Sequence, residues 1–411
     1  MMKKSIFAVA VASVLTLGAA QAETVLYGSI RYDYESKKVQ KMNPEQDGIK
    51  KLTSNRVSNL NDAGSRIGLK GSEDLGNNNA VIYNLEWGFD GMIQDESNDS
   101  KWTTRKAILG LTGDWGTVTA GRQDNPFKVT IVDDTVTDDF NGGNVISSAA
   151  QRAMTTTLTG LGLSKMKEYP ENATPEQEAK IDAENFNAYT ETLNSASLSR
   201  VGKVIAYTTP DFAGFQANAA LMMDDSYYLD AKNNSKNIDL WTINAKYAYD
   251  LGANGTILAK AGYIQGKVAG DNNKSKMWGL FLGYSQDAFK VSASYADGNH
   301  KTPLFGETAS NGAAQGNGPK QKSKGWDIGA SYSFGPNYFS TVRAAYGENQ
   351  VKVDGFEGKD KVKSWAVGFE QKLSTRTRAW VEYGANETKF AGEGNDKKKD
   401  NVVSIGMRHD F

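Results

Sequence analysis

Trp326-Asp327-Ile328-Gly329-Ala330-Ser331-Tyr332-Ser333-Phe334 sets apolar and aromatic side chains on one parity and aspartate, glycine and serine on the other. A period of two is the signature of a β-strand with two unlike faces. The same beat recurs on both sides of this stretch. Leu26, Ile30, Tyr32 and Tyr34 share a parity opposite Tyr27, Ser29, Arg31 and Asp33. Trp278, Leu280, Leu282 and Tyr284 form another apolar row, and Trp365, Val367 and Phe369 oppose Ser364, Gly368 and Glu370. The chain holds about sixteen such segments, enough for a closed barrel with an aqueous lumen.

The connections alternate too. Short turns of Gly, Asp, Asn and Pro, such as Asp114-Trp115-Gly116, Pro210-Asp211-Phe212-Ala213-Gly214 and Gly335-Pro336-Asn337, follow one set of strands. Longer charged loops, at 36–59, 91–100, 224–237, 298–324, 350–361 and 390–399, follow the other. Short turns at one end and long loops at the other describe an all-β fold, a transmembrane antiparallel barrel with its turns in the periplasm. A β-sandwich also alternates, but it buries its apolar face between two sheets and has no need of this rhythm. Nor does it need aromatics at the ends of the apolar stripe, where Tyr247 and Tyr249, Tyr332 and Phe334, and Tyr338 and Phe339 stand. Interfacial girdles use them there.

Composition narrows the class further. A soluble chain of 411 residues usually divides into domains, and no linker divides this one. Beyond the N-terminus no stretch is apolar enough for a membrane helix, and the mean hydropathy is −0.53; barrel strands need only one apolar face. Lys3 and Lys4, the apolar run Ile6 to Ala20 and the small-x-small Ala20-Gln21-Ala22 make residues 1–22 a secretory signal peptide, with 23–411 as the barrel. That run is shorter than the roughly 20 residues a membrane span needs. An exported chain without cysteine gains nothing from disulfides. At the other end Val403, Ile405, Met407, His409 and Phe411 share a parity and the chain stops at Phe411. This resembles the C-terminal signal read by the outer-membrane assembly machinery, with His409 where an aromatic is commoner.

Particular segments resemble the general porins, enterobacterial and neisserial. Val25-Leu26-Tyr27-Gly28 is similar to their first strand, and Ser65-Arg66-Ile67-Gly68-Leu69-Lys70-Gly71-Ser72-Glu73-Asp74-Leu75-Gly76 to their second strand and first turn. Thr104 to Leu111 and Gly116 to Arg122 resemble the fourth and fifth strands, and Ser199 to Tyr207 with Pro210-Asp211-Phe212 resembles the sixth and its turn. The order and spacing of these motifs carry the likeness over nearly the whole chain, most strongly in 24–145 and 198–222.

The resemblance implies a homotrimeric, water-filled pore in the outer membrane, set among its lipids and lipopolysaccharide, passing ions and small hydrophilic solutes. It implies that the loop from Asp124, 124–197, folds into the lumen as the third external loop. In the family that loop carries acidic residues just before an aromatic and two glycines. The match is Asp138 and Asp139 before Phe140-Asn141-Gly142-Gly143, with Asp133 and Asp134 upstream. The opposing basic wall falls on Arg66, Arg105 and Arg200, while a further basic position of the first strand falls on Ser29. Opposed charges across a narrow aqueous passage select ions and orient polar solutes. The charge missing at Ser29, with a net acidic mature chain, points to a mild cation preference. The loop exceeds the family's length through an insertion at about 149–196, in which Thr174-Pro175-Glu176-Gln177 reads as a capped helix start. Ile181, Phe186, Tyr189 and Leu193 fall on one side of that helix.

Other chemistries find little footing. There are two histidines, His300 expected in a solvated loop and His409 in the last strand, so neither a catalytic triad nor a metal site of His and Cys is expected, and no cofactor. Gly160-Leu161-Gly162-Leu163-Ser164-Lys165 lacks the spacing of a phosphate loop. Lys397-Lys398-Lys399 is placed in the last loop, near lipopolysaccharide phosphates; nothing suggests nucleic acid. The alternatives are an oligosaccharide-specific pore, for which inward Tyr27 and Trp380 are too few, a barrel enzyme, and an adhesin or phage receptor acting through the loops.

Overall fold

The computed structural model describes residues 24–44, 50–92, 102–159, 167, 169–223, 240–267, 274–301, 320–391 and 397–411. Residues 1–22, expected as a signal peptide, and the Gly160–Lys165 stretch lie outside them. The strands, in chain order, are β1 (Val25–Pro44), β2 (Lys50–Asp62), β3 (Arg66–Gly76), β4 (Asn79–Phe89), β5 (Trp102–Gly113) and β6 (Gly116–Asp124). After a long helical segment come β7 (Arg200–Thr208), β8 (Phe215–Met222), β9 (Leu240–Asp250), β10 (Thr256–Lys267), β11 (Lys274–Gln286) and β12 (Phe289–Lys301). The last five are β13 (Lys320–Phe334), β14 (Ser340–Val353), β15 (Asp360–Lys372), β16 (Thr377–Lys389) and β17 (Lys397–Asp410).

From β3 onward each strand pairs antiparallel with the next, and β17 returns to β1 with Ser29 opposite Asp410 and Lys38 opposite Asn401. Both β2 and β3 lie on the other edge of β1, β3 against Val25–Ser29 and β2 against Tyr32–Pro44. They are one stave interrupted at Ala63-Gly64-Ser65, so the closed barrel has 16 staves. At the interruption Gly64 adopts φ +104, a conformation glycine enters without steric cost. The Asp62 carboxylate accepts from the Gly64 and Ser65 N–H groups at 2.7 Å each.

Closure uses the last residue. Phe411 and Gly28 exchange two backbone hydrogen bonds, 3.0 and 3.1 Å. A Cβ on Gly28 would lie 2.5 Å from the Phe411 ring, so the pairing requires a glycine there.

The outward parity is apolar: Leu26, Ile30, Leu109, Ile243, Leu282, Ile328, Val381 and Ile405 are exposed, as a lipid-facing surface must be. At its loop end four tryptophan–tyrosine pairs span neighbouring strands, Trp241–Tyr263, Trp278–Tyr295, Trp326–Tyr346 and Trp365–Tyr383, with centroids 5.2–5.4 Å apart. At the turn end Tyr247 stacks with Tyr249 and Tyr332 with Phe334, both at 6.2 Å. From Trp326 to Phe334 the strand climbs roughly 27 Å at the usual rise, which a tilted strand reduces to the height of an apolar band.

Several loops are shorter than the sequence reading set them. Most of 36–59 belongs to the β1–β2 hairpin, β12 runs to Lys301 and β13 starts at Lys320. Lys397, Lys398 and Lys399 open β17 rather than sit in a loop, and Lys398 pairs with Asp400 at 2.8 Å. His300 is not solvated: it is buried on the inward face of β12 beside Ser275. The reason is common to all. Above the membrane both faces of a strand are wet or touch polar neighbours, so alternation disappears while pairing continues.

Between β6 and β7 the chain enters the barrel. A short helix α1 (Pro126–Ile131), capped by the Asn125 side chain accepting from the Phe127 N–H at 3.1 Å, packs on β9, β10 and β11. Phe127 and Ile131 join Met222, Leu240, Ile264 and Met277 in an apolar cluster inside the barrel. Helix α2 (Ala149–Thr159) lies against β11 to β14 and is buried from Ala149 to Leu158. Helix α3 (Pro175–Asn194) begins with the reciprocal cap read from sequence: the Thr174 hydroxyl accepts from the Gln177 N–H, and the Gln177 side chain accepts from the Thr174 N–H. It rests on the loop-side ends of the wall, where Phe186 meets Phe390, Asn187 bonds the Met42 backbone at 3.0 and 2.9 Å, and Leu193 packs with Val351 and Val362.

Candidate pore constriction

Loop and wall are fastened by polar groups that a lumen can satisfy. The tip, Asn141-Gly142, sits on two wall carboxylates. The N–H groups of Asn141 and Gly142 donate to Glu382 at 3.0 and 2.8 Å, and the Asn141 amide donates to Glu370 at 2.8 Å. Arg343 bridges both glutamates at 3.0 and 3.2 Å and donates to the Asp139 carbonyl at 2.7 Å. Farther on, Asn144 donates to Glu35 at 2.9 Å. Asp327 then closes the start of α2: it accepts from the Ser148 hydroxyl at 2.7 Å and from the Ala149 and Ala150 N–H groups at 2.8 and 3.0 Å. A strand residue thus does the work of a helix cap. The contact is tight enough to require inward glycines. A Cβ on Gly325 would lie 2.0 Å from the Ala149 carbonyl oxygen, and one on Gly384 1.7 Å from that of Val145.

The four loop aspartates stand together, each beside a lysine. Asp133 pairs with Lys128, which also lies 3.7 Å from Asp138; Asp134 pairs with Lys260 at 2.8 Å and Asp139 with Lys290 at 2.7 Å. Protein packed close around the Asp138 carboxyl pushes it up to about 6, although 46% of the side-chain surface still meets the lumen and water there tempers the effect; Lys128 opposes the rise, and Asp133 and Asp139 add to it. Burial raises Asp139 as well, against the pull of Lys290. For Lys128 burial favours the neutral amine, but the surrounding carboxylates outweigh it and hold the ammonium above the ordinary lysine range.

The three expected arginines share another part of the wall. Arg105 pairs with Glu86 at 2.6 Å, Arg66 approaches the same carboxylate at 3.9 Å, and Arg200 lies 3.4 Å from Asp124. Ser29 is buried and uncharged, yet Arg31, two residues on and on the same face, supplies a cation to that strand. Register places Arg31 directly opposite Arg408 on β17, and Arg408 opposite Arg378 on β16. These three escaped the sequence reading, although Arg31 and Arg408 each lie on the polar parity of a strand already identified. The lysine partners of the aspartates escaped it too: Lys260 and Lys290 reach the loop only through the closed sheet.

Of the inward aromatics, Trp380 is buried and donates to the Ser404 hydroxyl at 2.9 Å, and Tyr27 donates to Asn84 at 2.7 Å. No helix among the described residues is long and apolar enough to cross a membrane, so the crossing is made by strands.

Comparison with known proteins accords with this architecture. The major outer membrane protein P.IB of Neisseria lactamica is 26% identical over the full length of both chains, and that of Neisseria sicca 24% identical. An outer membrane porin protein of Bordetella pertussis is 25% identical, again over both full lengths. Among solved structures, an anion-selective porin from Comamonas acidovorans aligns over 95% of this chain and 100% of its own with a TM-score of 0.59 at 20% identity. The trimer form of in-vitro folded OmpT from Vibrio cholerae aligns over 95% and 100% with 0.57 at 13% identity. The description of a Gram-negative porin matches residues 8–391. With its strand order, polar lumen and inward-folded loop, the chain belongs to the Gram-negative porin family, and its place is the outer membrane of a Gram-negative cell.

Proposed function

We propose that this porin is a passive diffusion channel for ions and small hydrophilic solutes, narrowed where the loop residues Asp133, Asp134, Asp138 and Asp139 face the lumen across from Arg66, Arg105 and Arg200. The carrying observation is that the wall arginines remain in contact with lumen water: the side chains of Arg66, Arg105, Arg200, Arg378 and Arg408 keep 18–27% of their surface exposed. A water-accessible charged ring inside an apolar exterior is what ion passage needs.

The balance of charge supports an anion preference. The four aspartates are matched by Lys128, Lys260 and Lys290, whereas Arg66, Arg105, Arg200, Arg378 and Arg408, with Lys106 beside Asp124 and with Arg31 outside every ion pair among the described residues, have Glu86, Asp124, Asp410 and Glu370 as close carboxylates. This reading stands against the mild cation preference expected from Ser29, and Arg31, two residues on and on the same face, adds a cation to that strand. Reversal potentials in a potassium chloride gradient decide it: a sign showing chloride to be the more permeant ion supports the assignment, and the opposite sign refutes it.

The pore reading also accounts for the assembly proposed with it. A homotrimer among outer-membrane lipids and lipopolysaccharide follows the habit of the family, and the Phe411–Gly28 closure gives the assembly machinery a completed last strand to act on. An oligosaccharide-specific pore draws no support from Trp380, whose ring is covered. Channel conductance in planar bilayers, set against hydrolase assays on the same preparation, tests transport against enzyme.

A further inference from the structure

The inner wall is layered by charge beside the loop tip. One layer of carboxylates, Glu370, Glu382 and Glu35, is engaged by the loop. Toward the short-turn end the next inward positions are Asp33 on β1, which accepts from the Ser404 hydroxyl at 2.6 Å, and Trp380 on β16; one inward step farther come arginines. Arg31, Arg408 and Arg378 occupy three adjacent strands and face one another directly across them. Like charges directly opposite one another destabilise a sheet, so the row persists against a cost. One carboxylate lies among them: Asp410 accepts from Arg408 at 2.5 Å and from Arg378 at 3.5 Å. Arg378 has Glu370 only at 3.9 Å, and among the described residues Arg31 has no ion pair. The Nε groups of Arg31 and Arg378 are enclosed and donate to nothing. Enclosed guanidinium donors without an acceptor are costly to leave unmade, and their planar fork matches the oxygens of a phosphate or carboxylate.

We propose that Arg31, Arg378 and Arg408 form a binding subsite for doubly charged oxyanions on the turn side of the loop, a staging point through which such solutes pass after the constriction. This deepens the diffusion-channel reading and rests on it. A multiply charged oxyanion gains from all three cations at once, whereas chloride cannot use the fork geometry. Passage of the former therefore saturates and passage of the latter does not.

The probe is inorganic phosphate at alkaline pH, where it is doubly charged. Single-channel current carried by potassium phosphate levels off with concentration, while current in potassium chloride keeps rising in proportion. Arg31→Gln and Arg408→Gln each raise the half-saturating phosphate concentration by about tenfold, the equivalent of one charge-assisted hydrogen bond, while chloride current, lowered with the lost wall charge, still rises in proportion to concentration without saturating. If either variant fails to fold, Arg31→Lys supplies the second reading: it keeps the charge, loses the fork, and lowers phosphate affinity. Channels that conduct chloride yet show no saturation by phosphate, or saturation unchanged in every folded variant, overturn the subsite and leave the pore intact. Folded protein conducting neither salt overturns both.

Discussion

Asp327 shows how one residue fixes a distant element. Its two carboxylate oxygens hold the Ser148 hydroxyl and the first two N–H groups of α2. Asp327→Ala leaves those buried donors without acceptors, at about 1–3 kcal/mol for each group orphaned, and the unfolding temperature of the extracted barrel falls; Asp327→Asn, which keeps one acceptor, loses less. Thermal denaturation followed by circular dichroism measures both. Gly384→Ala is expected to act from the other partner: overpacking against Val145 costs about 1–3 kcal/mol and shifts the loop, so stability and conductance change together. At Asp138 the prediction concerns pH. As pH falls through about 6 the carboxyl gains its proton and the loop loses a negative charge, so chloride preference grows. Because this folded pKa lies above the ordinary value, the ionised form is the disfavoured one, and acidification relieves the fold. Asp138→Asn abolishes this pH dependence of the reversal potential; persistence of the full shift in the variant would assign it elsewhere. Asp138 and its neighbours were legible in sequence as an acidic run before Phe140-Asn141-Gly142-Gly143. Their lysine partners were not, because Lys260 and Lys290 belong to strands more than a hundred residues away and meet the loop only when the sheet closes.

At the scale of elements, local signals and distant ones part company. Helix α3 carries its own start in Thr174 and Gln177 and its own apolar side in Phe186, Tyr189 and Leu193, so sequence alone located it. Helix α2 carries neither. Thr155-Thr156-Thr157 is a poor helix former, and its cap comes from β13, so nothing nearby announces it; tertiary burial overrides propensity. The strands were read where one face meets lipid and were cut short where it does not, which is why 36–59 and 298–324 looked like loops. The two ends of the inserted segment lie close, since the Gln151 amide reaches the Ala196 and Ser197 carbonyls at 3.1 and 3.0 Å. Excising Ala149–Asn194 and bridging the gap with a short Gly-Ser linker therefore leaves the barrel closed. It removes from the lumen a helix about 10 Å across, and single-channel conductance is expected to rise about twofold or more. Unchanged conductance in the folded deletion would mean that α2 lies outside the conducting path.

For the whole molecule, one closed sheet accounts for stability without cysteine, for a polar mean hydropathy in a membrane protein, and for the pore. Among the described residues each strand pairs with a neighbour on both sides around the ring, as the hydrocarbon core demands, and Phe411 adds its pairing with Gly28. The alternating last strand was legible in sequence, whereas the charge balance of the lumen was not: it depends on Arg31, Arg378 and Arg408 falling side by side in register. The barrel encloses a continuous aqueous path despite the loop and α2 within it. Conductance of detergent-extracted, unboiled protein in a planar lipid bilayer tests this most directly. Stable ohmic channels are expected, closing under voltage in three equal steps if the proposed trimer is the assembled form. Protein shown to be folded that inserts repeatedly and passes no current would contradict the continuous path.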